Sequence, residues 1–172
     1  MPPRRLLRDR LTVTDEWLYL DEALDEAAAD LLRPDAVPSP LIVPFDRWLA
    51  EREGWIGGAG RLGVRLDPAD PVEQLAQDLP RLDLVALRFP GPAEGRGYTQ
   101  ARLLRERWGF VGELRATGYV RHDQLFFLAR CGCNAFELPD GEFASAERAF
   151  ATFSAEYQGC NDTGLTVPLR HR

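Results

Sequence analysis

The chain has 172 residues, of which 45% are hydrophobic and 28% charged, enough for one domain with its own core and too few for a complete eight-stranded βα barrel. No apolar run approaches the ~18 residues of a membrane span, and a net charge of -6 argues against a bulk nucleic-acid binder. All 21 basic residues are arginine, which excludes lysine Schiff bases, P-loop lysines and lysine general bases; coding bias in a GC-rich genome is explanation enough.

The opening Met1-Pro2-Pro3-Arg4-Arg5 is basic, but Asp9, Asp15 and Glu16 arrive before any long apolar stretch. That is unlike a secretory signal. Residues 11 to 20 read as a strand or hairpin. An acidic segment from Asp15 to Asp30 follows, either a solvated face or a docking surface. Arg33 to Pro40 is a proline-rich linker, so residues 1–40 form an N-terminal appendage and 41–158 the main domain. There a rhythm begins: strand Leu41 to Pro44, helix Phe45 to Arg52; strand Leu62 to Leu66, helix Val72 to Leu79; strand Leu84 to Phe89, helix Thr99 to Trp108. It continues with strand Glu113 to Thr117, helix Arg121 to Cys131; strand Ala135 to Leu138, helix Ser145 to Tyr157. Residues 159–172 lack periodicity and read as a loose tail. Five consecutive strand–helix units predict an α/β fold with parallel strands.

The strands alternate instead of running continuously apolar. Val64 and Leu66 oppose Arg65 and Asp67; Val85, Leu87 and Phe89 oppose Arg88; Leu114 and Ala116 oppose Glu113, Arg115 and Thr117; Phe136 and Leu138 oppose Glu137. One face thus takes the helices and the other gathers charge. That pattern favours a partial βα barrel over the alternative, an open three-layer sheet covered on both sides. Exposed sheet edges and a half-covered inner face then need cover from the N-terminal segment, from a second subunit in a homodimer, or from both.

The polar face carries the most chemistry. Arg65, Arg88 and Arg115 with Glu113 and Glu137 form either a structural ion network or a cradle for an anion, since guanidinium forks suit both. A mixed arrangement is expected, with Glu113 and Glu137 each pairing one arginine while Arg96 and one strand arginine face the open mouth. If the face is catalytic, Glu113, Glu137 and Asp123 are the candidate acid–base groups. Gly91 to Thr99, with Arg96 and Tyr98, follows a parallel strand and is either an anion-binding loop or a tight turn. It is neither a Walker motif nor GxGxxG. His122 adjoins Asp123, but neighbours on a helix point apart. Three cysteines, Cys131, Cys133 and Cys160, predict reduced thiols in a cytoplasmic protein, with no metal and no cofactor.

Gly95 to Arg105, Gly112-Glu113-Leu114-Arg115-Ala116, Asp123-Gln124-Leu125 and Arg130-Cys131-Gly132, with Val43-Pro44-Phe45, Trp48 and Gly63-Val64-Arg65-Leu66 earlier, resemble a bacterial domain-of-unknown-function family, nine-three-four. The resemblance spans about residues 10 to 158. It implies a link to assimilatory sulfite reduction, an oxidoreductase label, and sulfite or nitrite reductase as partners. The chain departs from the family pattern at Glu94, Tyr119, Cys133 and Asn134. No flavin, nicotinamide, iron–sulfur or haem spacing accompanies the label.

Overall fold

A computed structural model describes residues 4–23, 40–57 and 60–152. Eight strands make one mixed sheet: β1 Arg5–Arg8, β2 Leu11–Thr14, β3 Leu18–Tyr19, β4 Leu41–Pro44, β5 Leu62–Leu66, β6 Leu84–Phe89, β7 Glu113–Gly118 and β8 Ala135–Phe136. Their order is β2-β1-β8-β7-β6-β5-β4-β3. Strands β4 to β8 are parallel and sequential, as the strand–helix rhythm requires. The helices are α1 Phe45–Gly57, α2 Arg96–Arg102, α3 Leu125–Arg130 and α4 Phe143–Thr152, with one further helical turn at Leu20–Ala23.

Alternation assigns the two faces. Val64, Leu66, Val85, Leu87, Phe89, Leu114, Ala116 and Phe136 point to the helices and share one core with Trp48, Trp55, Leu104, Leu128 and Phe150. Each buried Val, Leu or Phe among them contributes ~1.5–3 kcal/mol by leaving water. The opposite face is concave, and the sheet is a half-barrel with its helices outside.

The curvature follows from the connection between β2 and β3. These are the two edges of the sheet, seven inter-strand steps apart, or ~34 Å along its surface at ~4.8 Å per step. Yet Thr14 and Leu18 are joined by a chain that spans at most ~14 Å. Only a strongly curled sheet brings its edges that close. The joining segment runs across the concave face, where Trp17 and Tyr19 pack on Ile42, Leu84 and Ala86 in a second apolar cluster.

Several elements differ from expectation. The N-terminal hairpin begins at Arg5, and its turn places Asp9 at φ 49° and Arg10 at φ 70°, the left-handed conformation that tight hairpins demand. Residues 5–19, read as an appendage, supply three strands of the same sheet: β1 pairs β8 antiparallel and β3 pairs β4 parallel. The exposed edge of β2 is capped where Thr12 N donates to Glu147 Oε1 at 2.7 Å. The helix expected over 72–79 is two 3-10 turns, Val72–Leu75 and Leu79–Arg81; Pro80 supplies no N–H and disfavours α geometry at Leu79. The helix expected over 99–108 starts at Arg96 and ends as a π-helical turn, Leu103–Arg107. Strand β8 has two residues, where four were expected. The linker, the tail 159–172, Cys160 and the end of the last expected helix lie outside the described residues. No helix among the described residues is long and apolar enough to cross a membrane.

Candidate functional site

Strand register arranges the concave face in rows. Arg65 pairs with Ala86, Ala86 with Arg115 and Arg115 with Ala135. One pleat nearer the carboxyl ends, Arg88 pairs with Thr117. Glu137 follows β8 directly and continues that second row.

The first row is closed around Arg115, whose side chain is fully buried. Its guanidinium takes Asp15 in a two-pronged grip, Nη1 to Oδ2 at 2.9 Å and Nη2 to Oδ1 at 3.0 Å. It also donates from Nε to Glu113 Oε1 at 2.8 Å and from Nη1 to Glu137 Oε1 at 3.2 Å. Burial by itself would lower the Arg115 pKa; Glu113, Tyr19 and Asp15 together hold it above its ordinary value. Glu113 Oε2 also meets Arg8 Nη1 at 3.4 Å. The expectation that Glu113 and Glu137 each pair a separate arginine is therefore corrected. Both converge on Arg115, because adjacent strands bring all three side chains to one point of a curved sheet. Asp15 completes the cluster. Its place in an acidic run gave no sign of this, because only the strap between β2 and β3 delivers it to Arg115.

The second row opens to solvent. A recess of about 360 Å³ is lined by Tyr19, Arg65, Arg88, Thr117, Gly118, Glu137, Leu138 and Pro139. It lies at the carboxyl ends of the parallel strands, where open α/β sheets take ligands. Arg65 is held by Asp21, with Nη1 to Oδ1 at 3.1 Å and Nη2 to Oδ2 at 2.6 Å, while its buried Nε has no hydrogen-bond partner among the described residues. Burial pulls the Arg65 pKa down, but Asp21 more than offsets it and the net direction is up. Arg88 gives Nη1 to Asp67 at 3.0 Å, which leaves Nε and Nη2 unengaged among the described residues. Thr117 stands beside it in the recess wall. Tyr19 links the two rows, donating its hydroxyl to Glu137 Oε1 at 2.7 Å. Burial first, and the Glu137 charge second, raise the Tyr19 pKa, so the phenol keeps its proton.

Gly118 is required in this wall. Its φ is +83°, and a Cβ there would stand 2.5 Å from the Phe89 carbonyl oxygen. Gln100 supports the rim from behind, donating to the Asp67 and Asp70 carbonyls at 3.0 and 3.1 Å and so fixing the turn that carries the Asp67 carboxylate. Periodicity offers no signal for Gln100 in this role; Asp67 was legible from the alternation that continues β5, and Thr117 from that of β7.

Other candidates lie elsewhere. Arg96, expected at the mouth, does not line the recess; it is exposed and forked onto Glu94, with contacts of 2.9 and 2.8 Å. That pairing holds the Glu94 carboxyl down at about 2. Gly97 sits against the Phe89 ring, which a Cβ would meet at 2.5 Å, so this glycine serves helix–sheet packing. Tyr98 is on the convex side, its ring centroid 5.3 Å from Phe89 and 5.0 Å from Phe127. Asp123 is exposed on a 3-10 turn, beside an apolar groove formed with Phe126 and Phe150. Of the three acid–base candidates, only Glu137 reaches the recess. Cys131 and Cys133 are buried and in no disulfide among the described residues, and burial pushes the Cys133 thiol up to about 12. Among the described residues no three side chains cluster as metal ligands.

Arg105 gives the segments around Gly112, Gly132 and Asn134 a structural role. From the π-helical turn it donates to the carbonyls of Gly132 at 2.9 Å, Gly112 at 3.0 Å and Phe110. It also reaches Asn134 Oδ1 at 3.3 Å, and the same oxygen accepts from Leu114 N at 2.8 Å. These bonds tie the loops before β7 and β8 together at the end of the barrel away from the recess.

A half-barrel α/β domain with a charged concave face, closed at one end and open at the carboxyl ends of its strands, is the class these observations define. Residues 63–167 match the family described as a bacterial protein of unknown function, DUF934, and the chain belongs to that family. No curated protein matches the chain. The matched stretch contains Arg65, Arg88, Arg115, Thr117 and Glu137, whereas Asp15, Tyr19 and Asp21 precede it.

Proposed function

We propose that the recess binds a small oxyanion and that the protein is an accessory of assimilatory sulfite reduction, taking sulfite or a related anion beside a sulfite or nitrite reductase. One observation carries the binding reading. Two arginines on adjacent parallel strands line an open recess beside Thr117, and among the described residues Arg88 engages only its Nη1. Guanidinium and hydroxyl donors converging at strand ends suit an oxyanion. The sulfur context rests on the family resemblance. Arg96 and Tyr98 are left out of this site, and Arg115 supports it from beneath as the anchor of Glu137.

Titration calorimetry of the purified protein with sulfite tests the reading. Saturable binding, lost in Arg88→Ala, is expected, together with a changed rate when the protein is added to a sulfite reductase assay. No heat at millimolar sulfite overturns the binding site; an unchanged reductase rate overturns the accessory role. A second reading, a small enzyme, is favoured by Glu137, a carboxylate at the recess wall that could act as acid–base with the arginines stabilising developing charge. Sulfite consumption by the protein alone would select it.

A further inference from the structure

The recess is not a simple positive cradle. Arg65 and Arg88 face it, but so does the Glu137 carboxylate, and Asp21 and Asp67 flank the two guanidiniums at 2.6 and 3.0 Å. Glu137 shares Arg115 with Asp15 and Glu113, so across the connected cluster the four guanidiniums of Arg8, Arg65, Arg88 and Arg115 stand against the five carboxylates of Asp15, Asp21, Asp67, Glu113 and Glu137. A fully deprotonated dianion placed here would meet uncompensated carboxylate charge, and such repulsion is a strong means of rejecting a ligand.

Glu137 also has spare accepting capacity. Its Oε1 takes both the Tyr19 hydroxyl at 2.7 Å and Arg115 Nη1 at 3.2 Å. Its Oε2 has no partner among the described residues, and the side chain is 24% exposed at the recess wall. An ionised carboxylate offers acceptors only, so a ligand complements Oε2 by presenting a hydrogen-bond donor. Arg88 and Glu137 flank Thr117 in one row, two strand spacings or ~10 Å apart at the backbone. An oxyanion seated over Thr117 lies between guanidinium donors on one side and a carboxylate acceptor on the other. Fixed donors on one wall and a fixed acceptor on the other describe an anion that still carries a proton.

Resting on the oxyanion reading above, we infer that the recess selects singly charged oxyanions bearing a proton, of the hydrogensulfite or dihydrogenphosphate kind, and that Glu137 is the residue that sets this selectivity. Sulfate keeps no proton near neutrality and carries two charges; nitrate carries one charge and no proton. Both leave Glu137 Oε2 facing an acceptor. Arg115 is then a positioning residue, because it holds Oε1 and turns Oε2 toward the ligand. Tyr19 does the same from the other side.

The test is calorimetric titration of the full chain at mildly acid pH with four probes: hydrogensulfite, dihydrogenphosphate, sulfate and nitrate. The two proton-bearing anions are expected to bind at least about tenfold more tightly than sulfate or nitrate, the change that one charge-assisted hydrogen bond gives. Glu137→Gln keeps an oxygen for Tyr19 and Arg115 but puts an amide N–H at the wall. It is expected to bring sulfate and nitrate to within about threefold of the others. Equal wild-type affinity for all four probes overturns the selectivity while leaving the oxyanion site standing. Binding of none of them overturns both. The wild-type comparison needs no variant, so a poorly folding Glu137→Gln does not blunt the test. If that variant folds, as checked by its melting curve, and keeps the wild-type preference, the assignment to Glu137 is overturned.

Discussion

Arg115 and Arg88 sit on the same concave face, on neighbouring strands, one pleat apart, and do opposite things. Arg115 is fully buried and meets three carboxylates; Arg88 is half exposed and meets one. Identical side chains on one periodic face thus divide into a structural anchor and a ligand-facing group. The difference comes from what the fold lays over them. The strap from Thr14 to Leu18 crosses the first row and brings Asp15 down onto Arg115, while the second row stays uncovered.

Losing the Arg115 anchor costs the fold most. Arg115→Ala leaves Asp15, Glu113 and Glu137 facing one another in a buried site, an expected loss of about 3–5 kcal/mol. That is a large part of the ~5–15 kcal/mol a domain holds, and a fall in the denaturant midpoint would register it. A midpoint near wild type would show that the closed row does not stabilise the fold. Next in size is Gly118→Ala, at the wall of the open row. A positive φ and a Cβ pressed on the Phe89 carbonyl predict about 2–4 kcal/mol of destabilisation by thermal or chemical unfolding.

Tyr19 bridges the two rows and sharpens the comparison through pH. Its pKa is raised in the folded protein by burial and Glu137. The neutral phenol is therefore favoured by folding. Its contribution is complete below the ordinary tyrosine pKa of ~10 and is lost as pH rises above it. Tyr19→Phe is expected to cost about 1–2 kcal/mol near neutrality, through the lost bond to Glu137, and to flatten the fall of stability in alkali. Unfolding curves across that range check both the size and the sign. Smallest in stability is Arg88→Ala. A half-exposed ion pair contributes ~0–1 kcal/mol, so the midpoint should barely move while sulfite binding disappears. Stability that fell as far as in Arg115→Ala would erase the distinction between the rows.

Five parallel strands in chain order, helices on one side and a charged opposite face were legible because a strand has a period of two and a helix 3.6. Arg65, Arg88, Arg115, Glu113, Thr117 and Glu137 were placed on one face by counting alone. Periodicity is local, however, and says nothing of which distant segment covers a face. Asp15, in an acidic run, looked solvated; Arg96, in a glycine-rich loop, looked poised for a ligand and instead grips Glu94. The broken helix at 72–79 was within reach of the sequence, since Pro80 announces it.

Local pattern fixes the period of each element and the division of each strand into an apolar and a polar side, and composition fixes the lack of lysine. Tertiary structure alone decided which carboxylate meets which guanidinium and which row stays open. Those outcomes depend on sheet curvature and on a five-residue strap, Thr14 to Leu18, joining opposite edges of the sheet. Ion pairing acts over a few ångströms, here between Asp15 and Arg115, 100 positions apart, and no local pattern in a chain encodes contacts of that range.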